Sequence, residues 1–154
     1  MGTATHLLAI LLGFALGVYL LPILTAPESP SKVTLESQAA TALYRGEFKR
    51  DLDGSDLFHW GTGLVYLSND SLTHQGQLAP GPDYQAYLAP QFVENESQFI
   101  AIKDQSINLG SIHTFEGFMI DIYQPVNLVK TPTIVIWCEA FGEFITAARL
   151  EQVD

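Results

Sequence analysis

One cysteine stands out among the residues that could do chemistry. Cys138 lies in the stretch TPTIVIWCEAFGEF, residues 131–144, and it has no cysteine partner in the chain. Such a thiol is a packing residue, a redox or cofactor-binding group, or a bridge to another chain. Free cysteine is among the most buried residue types, and a thiol surrounded by hydrocarbon has a raised pKa and reacts slowly. The residues alone therefore favour core packing for Cys138, unless a cleft or a bound group adjoins it.

Three histidines accompany the cysteine beyond residue 24: His59, His74 and His113. They show no ligand spacing such as His-x-x-x-His, so no metal site is predicted. His59, between Phe58 and Trp60, could be a redox neighbour or a proton donor near the thiol, although such a histidine more often hydrogen-bonds a turn. We expect His74 and His113 in edge strands or loops. Covalent c-type heme attachment is excluded, because it requires Cys-x-x-Cys-His.

The motifs of several enzyme classes are missing from the sequence. There is no Gly-x-Ser-x-Gly element of a serine hydrolase, and no Gly-x-Gly-x-x-Gly or Walker-type loop for a nucleotide. No acid–base constellation is recognisable either. Enzymatic turnover by this chain alone is therefore not expected.

Short apolar segments separated by turn residues dominate the chain after residue 42. Breaks of this kind occur at residues 68–70, 80–83 and 130–132, which read SND, PGPD and KTP. No long amphipathic helix is apparent after residue 43, so the pattern predicts an all-β domain, an antiparallel sandwich or barrel. The predicted strands are ALYRGEF, GTGLVYL, LTHQGQL, DYQAYLA, SINLGSI, GFMIDIY, TIVIWCEA and EFITAARL.

Strand alternation decides which way the cysteine points. Side chains alternate between the two faces of a strand, so Cys138 shares a face with Ile134 and Ile136. That face is most simply the core. The opposite face carries Trp137 and Glu139, and we expect Trp137 to be partly exposed or covered by another segment.

The N-terminal region contains an apolar run, LLAILLGFALGVYLLPIL, at residues 7–24, with no charge among its 18 residues. At about 1.5 Å per residue it extends about 27 Å as a helix, near the lower limit for crossing a bilayer. A cleaved signal peptide is the competing interpretation, but the nearest small-residue site, ending at Ala26, has Leu24 in its outer position and Pro27 after the cut. We therefore expect a retained single-span anchor, with residues 1–6 as its flank.

The remaining chain divides into a linker and a domain. Residues 25–42 are rich in Pro, Ser and Glu and are predicted to be a linker, with a short helical piece around 37–43. The β domain is expected at 43–154. Only Lys32 lies close to the apolar run, so charge bias does not orient it. We place the domain on the outer, periplasmic or extracellular side, because short N-terminal hydrophobic segments usually act as export signals.

The charge of the chain excludes some partners. Its 7 basic and 17 acidic residues give a net charge of −10, and all of them follow the apolar run. Phosphate backbones are bound through Lys and Arg, so nucleic acid is not an expected partner, and attachment to anionic lipid by charge is disfavoured.

Several separated motifs carry a resemblance to a known family. They are GEF at 46–48, FHWGTGLVYL at 58–67, GPDYQAYL at 81–88, Gly117 and Tyr123 before the last hairpin, and IVIWCEAFGEFITAARL at 134–150. From about Arg45 to Leu150 the chain resembles the DM-thirteen domain, a small β-rich domain of animal cell-surface proteins and of exported or membrane-anchored bacterial proteins. One departure is QLAPGPDY, where an apolar or aromatic lead-in is expected.

The resemblance implies a role for the cysteine. It implies that Cys138 takes part in electron transfer, either as a bare thiol or by binding a prosthetic group such as heme. It carries over to no other position, and His59 is a cofactor-binding candidate only from its place between Phe58 and Trp60. It also implies a membrane-anchored module and an electron-transfer partner protein. The alternative is a binding or adhesion module in which Cys138 only fills the core.

Overall fold

The protein is described here from a computed structural model that covers residues 2–123, 126–127 and 132–153. Its helices are α1 (Gly2–Thr25), α2 (Lys32–Ala39) and α3 (Glu96–Ile100), with one 3₁₀ turn at Lys103–Gln105. Nine strands lie in these residues: β1 (Tyr44–Phe48), β2 (Gly61–Leu67), β3 (Ser71–Leu78), β4 (Tyr84–Ala89), β5 (Ile107–Ile112), β6 (Phe118–Asp121), β7 (Thr133–Cys138), β8 (Glu143–Arg149) and β9 (Glu151–Gln152).

The strands form two antiparallel sheets. The first sheet has the order β6-β3-β2-β1-β9 and the second has the order β5-β4-β7-β8. The predicted all-β, sandwich-like fold is confirmed, and each of the eight predicted strands overlaps an observed one. The turns at 68–70 and 80–83 join β2 to β3 and β3 to β4 as expected. Of the predicted turn at 130–132, residues 130 and 131 lie outside the described residues.

The main hydrophobic core fills the space between the two sheets. It contains Phe48, Val65 and Leu72 from the first sheet and Leu88, Ile136 and Ile145 from the second. A second apolar cluster covers the outer face of the second sheet, where Phe99 of α3 packs on Val135 and Trp137. Since both faces of this sheet are covered, every residue of β7 is buried. Trp137 is thus covered by another segment, the second of the two outcomes expected for it.

The expectation that His74 lies in an edge strand or a loop is wrong. It belongs to β3, which pairs with β2 on one side and with β6 on the other. Its ring is fully buried, with centroids 5.1 Å from the Phe48 ring and 5.0 Å from the Phe118 ring. Its Nε2 donates to the carbonyl oxygen of Thr62 at 2.9 Å. Strand β3 is interior because β6 pairs directly with it, although β4 and β5 lie between the two in sequence.

Helix α2 begins inside the predicted linker. It starts five residues before the predicted helical piece and ends at Ala39. The side chain of Ser31 accepts a hydrogen bond from the Thr34 amide at 3.1 Å, which is the usual N-cap arrangement. Leu35 is buried and lies against Gly117. The segment after Thr25 is therefore partly packed on the first sheet.

Helix α1 includes the whole predicted anchor and extends it toward the N-terminus. None of its residues is buried in the protein. Among the described residues, α1 is the one helix with the length and apolarity needed to cross a membrane. Pro22 near its C-terminal end lies within the helix.

Candidate functional site

Cys138 is the last residue of β7, and its side chain turns toward the interior on the same face as Ile134 and Ile136. The residue is only 3% exposed. Its Sγ nevertheless has a polar partner, because the thiol donates a hydrogen bond to the carbonyl oxygen of Pro82 at 3.0 Å. The predicted direction of the side chain is correct, and the thiol lies at the end of the core beside the turn between β3 and β4.

That turn is held in place by main-chain contacts with the cysteine's own strand. Asp83 has φ of 52°, and it is the one non-glycine residue in the described ranges with a positive φ. Asp tolerates this left-handed conformation better than most residues. The Asp83 carbonyl accepts from the Glu139 amide at 3.0 Å, which fixes the turn against the end of β7. The Cys138 carbonyl accepts from the Gly142 amide at 2.9 Å, closing the following hairpin.

An apolar cavity of about 430 Å³ borders the thiol. Its volume is within the range of about 300–1,000 Å³ that is typical of ligand sites. On the domain side its aromatic walls are Phe58, Tyr84 and Phe141, and Tyr19 of α1 lies across from them. Cys138 is therefore not surrounded by aliphatic side chains alone, because it lines this cavity.

The surroundings keep the cysteine in its thiol form. Burial raises the pKa of Cys138, and the nearby carboxylates of Asp83 and Glu143 raise it further, against the opposing effect of the amides of Ala140 and Phe141. A thiol with a raised pKa carries its proton at neutral pH and needs a base before it can react as a nucleophile.

The side chains of His59 and Glu143 line the same cavity. The His59 Nδ1 is 2.9 Å from Oδ2 of Asp56, so the carboxylate orients the ring. The Asp56 Oδ1 accepts from the amides of Phe58 at 2.6 Å and His59 at 2.8 Å. A hydrogen bond to Glu96, together with burial, raises the pKa of Glu143. His59 thus stabilises its turn and also borders the cavity next to Cys138.

The other histidines lie elsewhere. His113 lines a separate cavity with the C-terminal end of α1, and His74 is enclosed in the core. Sequence reasoning missed Tyr84, Phe141 and Glu143 as cavity residues. A signal was available for Glu143, which is the antiparallel partner of Cys138 across the last hairpin. Trp137, next to the cysteine, points away from the cavity toward Phe99, with ring centroids 5.1 Å apart.

The residues around the thiol do not fit a heme. A thiolate sulfur and aromatic walls would suit the iron and the ring. Heme also carries two propionates, and the cavity lining contains no Lys or Arg to pair with them. The charged groups near the thiol are instead the carboxylates of Asp83 and Glu143. Burying further carboxylates beside them without a cation is unfavourable, so the arrangement suits a bare thiol.

Comparisons with known proteins bear on this site. Residues 48–150 match the family model described as "Electron transfer DM13", the family that the sequence motifs resemble. Curated proteins and solved structures gave no significant match. The matched region contains β2 to β8 in full, the last residue of β1, and the thiol with its cavity walls on the domain side. Because this match covers more than half of the chain, the protein belongs to the DM13 electron-transfer domain family.

Proposed function

We propose that the protein is a redox module anchored in a membrane by α1, with its DM13 domain on the outer side, and that Cys138 is the group that changes oxidation state. The observation that supports this most directly is the cavity beside a thiol that is otherwise buried. A cysteine with only a packing role needs no such space. The apolar helix α1 supports the anchor, and the electron-transfer family of the domain supports the redox role. The outer side is proposed because short N-terminal hydrophobic segments usually act as export signals.

The chemistry that fits a bare thiol is exchange with a disulfide on a partner protein. The Cys138 Sγ forms a bond to one sulfur of the partner's disulfide, the partner's S–S bond breaks, and the leaving sulfur departs as a thiolate. The two electrons of the Sγ lone pair form the new bond, and the leaving sulfur takes the electron pair of the broken bond. The Cys138 proton passes to a base and then to the leaving thiolate. His59, held by Asp56 at the same cavity, is the base in this proposal.

The test uses the full chain in lipid nanodiscs, equilibrated with buffers of glutathione and glutathione disulfide. Intact-mass analysis should show one glutathione adduct that forms and reverses as the buffer changes. Cys138→Ser should show none, and since the chain has one cysteine the site is unambiguous. His59→Gln should slow adduct formation by about 100-fold, at the low end of a general base's contribution. His113→Gln is the matched control and should leave the rate unchanged.

Two results would contradict the proposal. One is a folded chain that stays unmodified in every buffer while the denatured chain forms the adduct, which would favour a binding module with a core cysteine. The other is an equal rate for the His59 and His113 variants, which would remove His59 from the chemistry and leave the thiol without its proposed base.

A further inference from the structure

Carboxylates surround the thiol on the domain side of the Cys138 cavity. Glu143 lines the cavity and is the antiparallel partner of Cys138 in the ladder between β7 and β8. Asp83 is exposed in the neighbouring turn, and its charge reaches the thiol, because it contributes to the raised pKa of Cys138. Glu96 lies beside Glu143, and even where these two share a proton the pair keeps one negative charge. The described residues of the lining include no Lys or Arg, so the cavity has an excess of negative charge.

Positive groups on the adjoining elements have partners of their own. His59 lines the cavity, but its Nδ1 is 2.9 Å from Oδ2 of Asp56, so any charge on the ring is matched by that carboxylate. Lys103 lies beside the outer face of the second sheet, where its Nζ is 2.7 Å from Oε2 of Glu139. These cations therefore leave the charges of Glu143 and Asp83 without compensation at the cavity.

The aromatic walls of the cavity favour the same kind of ligand as the carboxylates. Phe58 is 57% exposed and Phe141 is 50% exposed, and both line the cavity together with Tyr84. The faces of aromatic rings attract ammonium and guanidinium groups. Lys and Arg also have aliphatic stems that pack on apolar surface while their charged ends stay in water. Apolar aromatic walls beside carboxylates thus suit a cation that is carried on a hydrocarbon stem.

We infer that the disulfide exchanged at Cys138 belongs to a basic segment of the partner protein, in which Lys or Arg side chains flank the disulfide. The inference rests on the proposed exchange reaction, and Glu143 and Asp83 determine its specificity. In that reaction Sγ of Cys138 bonds to one sulfur of the disulfide, and the other sulfur leaves with the electron pair of the broken bond and takes up the thiol proton. A cation beside the disulfide is attracted to the cavity before this step, whereas a carboxylate at the same place is repelled.

The test measures the rate of exchange between the full chain, in phosphatidylcholine nanodiscs, and small disulfides that differ in charge. Cystamine is a dication, hydroxyethyl disulfide is neutral and dithiodipropionate is a dianion. Each rate is divided by the rate of N-acetylcysteine amide with the same reagent, which removes differences between the leaving thiols. The normalised rate should be about 10-fold higher for cystamine than for the neutral disulfide, and about 10-fold lower for dithiodipropionate, as expected for two exposed ion pairs. These differences should shrink as salt is raised from about 0.1 M to about 1 M, since the Debye length falls from about 10 Å to about 3 Å.

Two variants assign the preference to the carboxylates. Glu143→Gln and Asp83→Asn keep the size of each side chain and remove its charge, and Asn tolerates the φ of 52° at residue 83. Each should reduce the preference for cystamine over the neutral disulfide about 3-fold. The rate with the neutral disulfide reports any change in the reactivity of the thiol itself. Glu151→Gln is the matched control and should keep the preference, because Glu151 is exposed and follows β8 at the end opposite Cys138.

Equal normalised rates for the three disulfides would overturn the inference and leave exchange at Cys138 intact. A preference for cystamine that survives both Glu143→Gln and Asp83→Asn would overturn it as well. Failure of all three disulfides to form an adduct would instead contradict the proposed function, and the basic partner with it. Reaction with the neutral disulfide therefore distinguishes the two kinds of failure.

Discussion

Trp137→Ala is expected to lower the free energy of unfolding by about 3–5 kcal/mol, the usual cost of removing a large buried aromatic side chain. Trp137 is 2% exposed and packs against Phe99 of α3. The Lys103 Nζ lies 5.4 Å from the centre of its ring. The neighbouring side chains cannot easily move into the cavity left by the indole ring, because both faces of the second sheet are already covered. The loss would leave α3 with only part of its aromatic contact with that sheet, through Phe99 and Tyr87.

The comparison variants are Phe141→Ala and Trp137→Phe, measured by guanidinium unfolding of the full chain in detergent with circular dichroism. Phe141 belongs to the hairpin after β7 and is half-exposed, so its removal should cost much less than that of Trp137. Trp137→Phe keeps an aromatic ring and should lose less than half as much as Trp137→Ala. The packing account is contradicted if Trp137→Ala and Phe141→Ala have the same cost.

Lowering the pH from 6.5 to 4 is expected to remove about 3 kcal/mol of stability through His74 alone. Burial between two aromatic rings lowers the pKa of His74 to about 4, from 6.5 for an exposed imidazole. In that interval the unfolded chain binds a proton at this position and the folded chain does not, so stability falls as the pH falls. Well above pH 6.5 the ring is neutral in both states, and this contribution is constant.

Two variants separate the contribution of His74 from that of carboxylates that also titrate between pH 6.5 and 4. His74→Gln keeps a group able to donate to the Thr62 carbonyl and has no imidazole to titrate. Its stability should depend less on pH between 6.5 and 4, by about 3 kcal/mol in total. His113→Gln changes an exposed histidine and should keep the pH dependence of the parent. If His74→Gln loses stability with acid as steeply as the parent, the neutral buried ring is not the cause.

Local patterns were sufficient to predict the strands and the direction of Cys138. Turn residues and Gly or Pro break the chain between short apolar segments, and alternation places Cys138 on one face of β7 and Trp137 on the other. These features depend on residues close together in sequence. The short β9 was missed because a pair of exposed polar residues, Glu151 and Gln152, has no apolar pattern.

The features that were missed depend on contacts between distant parts of the chain. His74 is interior because β6 pairs with β3, and the periodicity of β3 carries no information about that neighbour. The cavity brings together Phe58 and Phe141 from two loops and Tyr84 from the start of β4, and no sequence spacing relates them. The predicted helical piece began five residues after the true start of α2. The capping residue, Ser31, lies among prolines and serines that are typical of a linker, so it did not stand out as the start of a helix.

The central claim is that a small molecule can reach the Cys138 thiol in the folded protein, and the rate of alkylation by iodoacetamide measures this most directly. The full chain in nanodiscs should react to completion under native conditions at a single rate, slower than the denatured chain because burial and nearby carboxylates raise the pKa of the thiol. Addition of a mild denaturant well below the unfolding midpoint should leave that rate unchanged. A native rate that is zero, or that rises in step with the fraction of unfolded protein, would show that the thiol is sealed in the core and would contradict the account.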